Sequence, residues 1–242
     1  MRFEKKYFIA NWKLNKTLTE SIKFCEQIID VVHHSHVMIA PSFCNLSLLI
    51  ERFKNLKFGA QSVSRYSHGA YTGEVSAKML QDIQANFCLI GHSERRQHFH
   101  ETNESVAFQL KEAIDAHLLP VLCIGESLEA KNLGLTKQVL KEQLIEGLKF
   151  GLDQAFELFI AYEPIWAIGT SLAATAEMTD EILEWIKKTV FQINPKISLK
   201  LLYGGSVNLD NIDSYLEKKH IDGVLVGGAS LDLQTFKKFI TG

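Results

Sequence analysis

Eight short runs rich in β-forming apolar residues recur along the chain: YFIAN, VMIAP, LKFGAQ, CLIGH, PVLCIG, LFIAYE, LKLLYGG and DGVLVGG. Between most of them lie stretches with apolar residues at helical spacing, such as SIKFCEQIIDVVHH after the first, SVAFQLKEAIDAH after the fourth and TDEILEWIKKTVFQI after the sixth. Strands that are apolar throughout must be buried on both faces, and strands joined through helices run parallel. Eight such units predict one closed (β/α)8 barrel, because α/β barrels commonly use about 200–250 residues as a single unit and this chain has 242. An open, doubly wound sheet is the alternative. Its dinucleotide-binding form is disfavoured, since no GxGxxG follows the first run. No linker divides the sequence, so residues 1–242 are expected to form a single barrel domain.

Composition narrows the partners. Hydrophobic residues make up 46% and charged residues 22%, ordinary for a globular protein with a sizeable core. The 26 basic and 28 acidic residues leave a net charge of −2, which argues against a nucleic-acid surface and requires any anionic ligand to be held locally. Cys25, Cys44, Cys88 and Cys123 have no CxxC spacing and lie in or beside apolar segments, which argues against a disulfide framework or zinc ribbon and fits a reducing, cytoplasmic compartment. The start, MRFEKKYFIANWK, has too few apolar residues for a signal segment, and no stretch reaches the roughly 18 apolar residues that a bilayer span needs. The expectation is a soluble protein without membrane contact.

In a barrel of this class, functional groups stand just after the strand C-termini, where the βα loops gather. Asn11 and Lys13 follow the first run two residues apart, and while the chain stays extended they share a face toward the barrel mouth. Lys13 is then a fixed cation for an anionic substrate, with a plain surface lysine as the alternative. After the fourth run, Ser93 is expected to cap a helix and to place His92 beside the positive end of its dipole. There a neutral imidazole can donate a hydrogen bond to a carbonyl oxygen on which charge develops. The alternative is a histidine held for packing.

The sixth run ends in Glu163, and Pro164 fixes its own φ while restraining the residue before it. A carboxylate so held suits a base, unless it is salt-bridged under an ordinary loop. The residues that follow, IWAIGTSLAAT, have the composition of a lid. After the last two runs come Gly204-Gly205-Ser206 and Gly227-Gly228-Ala229-Ser230, where paired glycines let backbone amides approach an anion such as phosphate. Tight structural turns are the alternative there. His33, His34 and His36, like His98 and His100, lack partners that would complete a metal set, so no metal is expected. The long loop Ser62–Ser76, with its tyrosines and small residues, is expected to serve an interface.

Asn11-Trp12-Lys13, Gly91-His92-Ser93-Glu94-Arg95-Arg96, the segment AYEPIWAIGT from Ala161 to Thr170, Tyr203-Gly204-Gly205-Ser206-Val207 and LVGGASL from Leu225 to Leu231 together resemble the triosephosphate isomerase family, in order and spacing, across the whole chain. The resemblance implies a single-domain TIM barrel that interconverts dihydroxyacetone phosphate and D-glyceraldehyde 3-phosphate with no cofactor and no metal. It implies Glu163 as the base, His92 as the group that polarises the carbonyl, Lys13 and Asn11 as stabilisers of the enediolate charge, and Glu94 as the residue that orients Lys13. Phosphate would rest on amides near Gly169, Ser206, Gly227 and Gly228. It also implies a homodimer in which Ala70-Tyr71-Thr72-Gly73-Glu74 of the long loop reaches the partner's site. One departure stands in the lid, where Ser171-Leu172-Ala173 replaces a common glycine-lysine-threonine and Ala176 a frequent proline. The rival readings are another phosphosugar barrel enzyme and a catalytically silent phosphosugar-binding or interaction protein on the same barrel, which would require loss of a reacting group.

Overall fold

The computed structural model of the chain describes residues 6–32, 35–168 and 174–242. Strands β1 (Tyr7–Asn11), β2 (His36–Ala40), β3 (Lys57–Ala60), β4 (Phe87–Ile90), β5 (Leu119–Ile124), β6 (Glu157–Tyr162), β7 (Ser198–Tyr203) and β8 (Gly223–Val226) each pair in parallel with the next. β1 also pairs with β8, with Ala10 beside Val226, so the sheet closes as a (β/α)8 TIM barrel and the open-sheet alternative is excluded. Each apolar run of the sequence falls on its strand to within two residues at either end.

The outer layer consists of α1 (Leu18–Ile28), α2 (Phe43–Arg52), α3 (Ala77–Asp82), α4 (Ser93–His98), α5 (Asn103–Asp115), α6 (Leu128–Asn132), α7 (Thr136–Gly147), α8 (Ala176–Ile193), α9 (Ile212–Leu216) and α10 (Leu233–Thr241). Local chemistry starts several of them. Thr17 and Glu20 form a reciprocal capping box at α1, and Thr175 caps α8 by accepting from the Met178 amide. α1 stops at Ile28, short of the helical pattern that runs on to His34, because the chain turns at once toward β2 and Val31 N–H bonds the Ile28 carbonyl at 3.0 Å. His33 and His34 lie outside the described residues.

The two-residue period of the strands decides which side chains enter the barrel. Ile9, Met38, Ala40, Phe87, Leu89, Val121, Cys123, Phe159, Ala161, Leu202 and Leu225 fill its interior, whereas Phe8, Ala10, Cys88, Ile90, Leu158, Ile160 and Val224 pack outward under the helices. Following that alternation to the strand ends and just beyond brings Asn11 after Ile9, Glu163 after Ala161 and Gly227 after Leu225 to the mouth. All four cysteines are free thiols, and no helix among the described residues is long and apolar enough to cross a membrane.

Candidate active site

A cavity of about 400 Å³ opens at the C-terminal end of the strands. Asn11, Lys13, His92, Glu94, Glu163, Ser206, Gly227 and Gly228 all line it, so residues up to 217 positions apart in sequence meet in one place. Gly169 and Ser171-Leu172-Ala173 lie outside the described residues.

Lys13 reaches the cavity by a route its spacing did not indicate. The chain is not extended there: Lys13 has φ +51°, the left-handed region that non-glycine residues seldom occupy. Asn11 Oδ1 accepts the Lys13 amide at 3.1 Å, and Gln61 Nε2 donates to the carbonyls of Lys13 and Ala40 at 2.8 and 3.0 Å. The strain is thus met by three hydrogen bonds. The Lys13 ammonium donates to Glu94 Oε1 at 2.7 Å, and the two side chains are 26% and 41% exposed. An ion pair so open to water adds little stability. A Cβ on Gly227 would come within 3.0 Å of Lys13 Cε, so glycine there keeps the lysine's path clear.

His92, not Ser93, is the N-cap of α4, and its Nδ1 accepts the Glu94 amide at 3.2 Å. Because a backbone N–H faces Nδ1, that nitrogen acts as an acceptor, which leaves Nε2, on the Glu163 side of the ring, as the position for a donor. Glu163 is buried with its carboxylate divided in function. Oε2 accepts the Ser93 amide at 3.0 Å, while Oε1 lies 3.2 Å from His92 Nε2 and has no hydrogen-bond partner among the described residues. Strand pairing holds the backbone, with Glu163 N–H on the Ile124 carbonyl at 2.7 Å. A Cβ on Gly204 would approach Glu163 Cγ to 2.8 Å, so this glycine is required by the carboxylate as much as by any anion. Burial, and then the nearby Glu163 charge, push the Cys123 thiol well above its ordinary range, so it stays protonated beneath the site.

The two glycine loops face the same cavity. Gly228–Ser230 form a short 3-10 turn, closed by Ser230 Oγ on the Gly227 carbonyl at 2.7 Å. Ser206 differs from the expectation of a free amide: its N–H and hydroxyl both go to the Ala167 carbonyl, at 3.2 and 2.5 Å. That bond ties the glycine loop after β7 to the short 3-10 turn Ile165–Ala167 that follows Glu163.

Several supporting residues escaped the sequence reading. Gln61 steadies Lys13, and Glu126 takes the Tyr162 hydroxyl and the Trp166 indole N–H on Oε1 at 3.1 and 2.9 Å. Partly buried Arg96 braces the strand ends beside the site by donating to the carbonyls of Gly91 and Cys123 at 2.7 and 3.4 Å and to Asn103 Oδ1 at 2.7 Å. Gln61 and Glu126 each follow a strand end by one or two residues, the signal that singled out Glu163. Among the described residues no group of three or more His, Cys, Asp or Glu is placed to hold a metal ion.

Sequence comparison points the same way. Residues 6–242 match the family model described as triosephosphate isomerase. A curated triosephosphate isomerase of Clostridium botulinum (strain Langeland / NCTC 10281 / Type F) is 40% identical over 239 residues, covering 96% of each chain. Those of Chlamydia felis (strain Fe/C-56) and Mesomycoplasma hyopneumoniae (strain 232) are 42% and 43% identical, covering 98% of this chain and 97% and 98% of theirs. A closed eight-stranded barrel, a mouth carrying the family's motifs and a match over nearly the whole length lead to one conclusion: the chain belongs to the triosephosphate isomerase family.

Proposed function

We propose that this chain, as one barrel domain over residues 1–242, interconverts dihydroxyacetone phosphate and D-glyceraldehyde 3-phosphate, a step of glycolysis and gluconeogenesis. The observation that carries the reading is the Glu163 carboxylate, with one oxygen anchored on the Ser93 amide and the other unpartnered at the cavity. An acceptor left vacant beside an imidazole donor suits a group that must take a proton from carbon. In the forward direction Glu163 removes a proton from the carbon next to the carbonyl. His92 Nε2–H donates to the carbonyl oxygen as negative charge gathers there, and Lys13, aimed by Glu94, offsets that charge with Asn11 beside it. A proton then moves, by way of His92 Nε2, from the neighbouring hydroxyl to the former carbonyl oxygen, and Glu163 returns its own proton to the carbon that bears that oxygen, so the carbonyl shifts by one carbon. Gly227 and Gly228 offer amides to the phosphate. Gly169 belongs to the same reading. Ser206 can join once phosphate displaces the Ala167 carbonyl from its N–H, and that exchange would couple phosphate binding to the turn behind Glu163.

The test is a coupled assay of the purified chain in both directions. Turnover with both triose phosphates is expected, and its absence in a folded protein that still binds phosphate would establish the silent reading instead. The partner and compartment belong to this proposal too. The Ser62–Ser76 loop presents Tyr66 and Tyr71 stacked at 3.6 Å, and Leu14 beside the active site is 99% exposed, a surface suited to a second copy of the chain. We therefore assign a homodimer, checked by sedimentation. Four unpaired thiols suit the cytoplasm.

A further inference from the structure

A second cavity, of about 240 Å³, lies outside the barrel wall between α8 and the junction of α6 with α7. It shares no lining residue with the active site. Glu126, Lys131, Thr136, Lys137, Trp166 and Thr179 carry its chemistry. Glu126 is 1% exposed, and although Oε1 takes two donors, Oε2 is buried without any. Thr179, 0% exposed, likewise has an unpartnered hydroxyl oxygen. Buried polar atoms are seldom left so, and the two residues that carry these, both without a partner for them among the described residues, line the same space. The opposite wall has the reverse character. α7 begins there with no side chain capping its first turn, and Lys131 and Lys137 flank it, the Lys131 ammonium resting 3.3 Å from the centre of the Trp166 ring. An uncapped helix start with adjacent ammonium groups favours an anion.

We propose that this cavity binds a small zwitterion with an ammonium group at one end and a carboxylate at the other, the chemistry of a short free amino acid. The ammonium donates to Glu126 Oε2 and Thr179 Oγ1. The carboxylate meets the first amides of α7 and the two lysines, and the short apolar body lies against Met178 and Ile182, which complete the wall. The space equals the liquid volume of about eight water molecules, which sets the size. A simple anion would bring negative charge to Glu126 and leave its oxygen without a donor. A simple cation would satisfy Glu126 but meet two lysines and leave the helix start open.

The test is calorimetric titration of the full chain at constant ionic strength with L-valine, isobutylamine and isobutyrate, the last two being the halves of the first. L-valine is expected to bind at one site at least tenfold more tightly than either half, and inorganic phosphate is expected not to compete with it. Thr179→Val removes only an unpartnered hydroxyl, so the fold and the isomerase rate should persist while L-valine binding weakens at least tenfold. Lys137→Met, on the exposed side, should weaken L-valine and isobutyrate severalfold and isobutylamine hardly at all. Absence of L-valine binding, binding of isobutylamine as tight as that of L-valine, or unchanged L-valine binding in both folded variants would overturn the proposal. None of these outcomes depends on isomerase activity.

Discussion

The two ends of the barrel are made from the same eight strands and treat polar groups in opposite ways. At the floor, Tyr7 stacks on His36 at 4.6 Å and meets Phe159 edge-on at 4.8 Å. The polar groups around them have partners: Lys6 donates to the Ile221 carbonyl at 2.5 Å, and Asp222 accepts the Leu201 amide at 2.8 Å with Lys200 3.9 Å away. At the mouth, a buried carboxylate oxygen has no partner and a lysine sits in left-handed backbone. Such a conformation costs about 1–3 kcal/mol, which surrounding structure must offset. The floor completes its interactions, and the mouth holds some in reserve. The difference is the one expected if stability and the proposed chemistry belong to opposite strand ends, and it can be broken by substitutions that should affect one end without the other.

The largest effect is expected from Glu163→Gln. An amide cannot take the substrate proton, so kcat should fall about a thousandfold or more, equivalent to about 4 kcal/mol of barrier. Thermal stability should hold or rise, because the change removes a buried charge with an unpartnered oxygen. Retained turnover would refute the mechanism, and unfolding would refute the claim that this end is not built for stability.

Phe159→Ala tests the floor. The side chain is 1% exposed inside the barrel, and its loss should cost about 3–5 kcal/mol of unfolding free energy while kcat per folded molecule stays within about twofold. A large fall in kcat in the folded fraction would show the two ends to be coupled through the interior layers. Lys13→Ala returns to the mouth with a smaller change. In the proposed mechanism its ammonium faces both the substrate's phosphate and the developing charge, so kcat and KM should both worsen, with kcat/KM down about a hundredfold, or about 2.7 kcal/mol. Steady-state kinetics showing parent-like values would make Lys13 an ordinary surface lysine.

How far each end could be read from sequence follows from the same contrast. Strand alternation and the inward layers obey a two-residue period that the apolar pattern displays directly, and Glu163 is found by extending it. Rules of that kind fail where the backbone departs from them. Lys13 is reached through a left-handed residue, which spacing along an extended chain does not describe. The α4 cap lies one residue early because an imidazole nitrogen does the work usually given to a hydroxyl or carboxylate. Ser206 looked available as an amide donor, but its tie to Ala167 joins loops 39 residues apart, and local composition carries no trace of it. Gln61 and Glu126 were legible, since the strand-end rule applies to β3 and β5 as it does to β6, but each acts through a neighbour and neither resembles a reacting group by itself.

Gln61→Leu makes the finest cut between the two ends, because Gln61 stands at the mouth yet touches no reacting atom in the proposed chemistry. Its amide closes two backbone carbonyls, those of Lys13 and Ala40, and so holds the strained turn that delivers the ammonium. Leucine has similar bulk and cannot donate. Each neutral hydrogen bond contributes about 0.5–1.5 kcal/mol net, so losing both should loosen the turn by about 1–3 kcal/mol. If that loosening is felt at the Lys13 ammonium, kcat/KM should fall by about five- to tenfold, mostly in KM for the phosphorylated substrate, with the pH profile of kcat unchanged because neither Glu163 nor His92 is disturbed. The combination with Lys13→Ala then decides the cause. Once the ammonium is gone, Gln61→Leu should have almost no further effect on turnover, since it acts only by positioning that group. Independent, additive losses would show that Gln61 supports the mouth through general packing, and the strained turn would then be a structural feature with no bearing on the placement of Lys13.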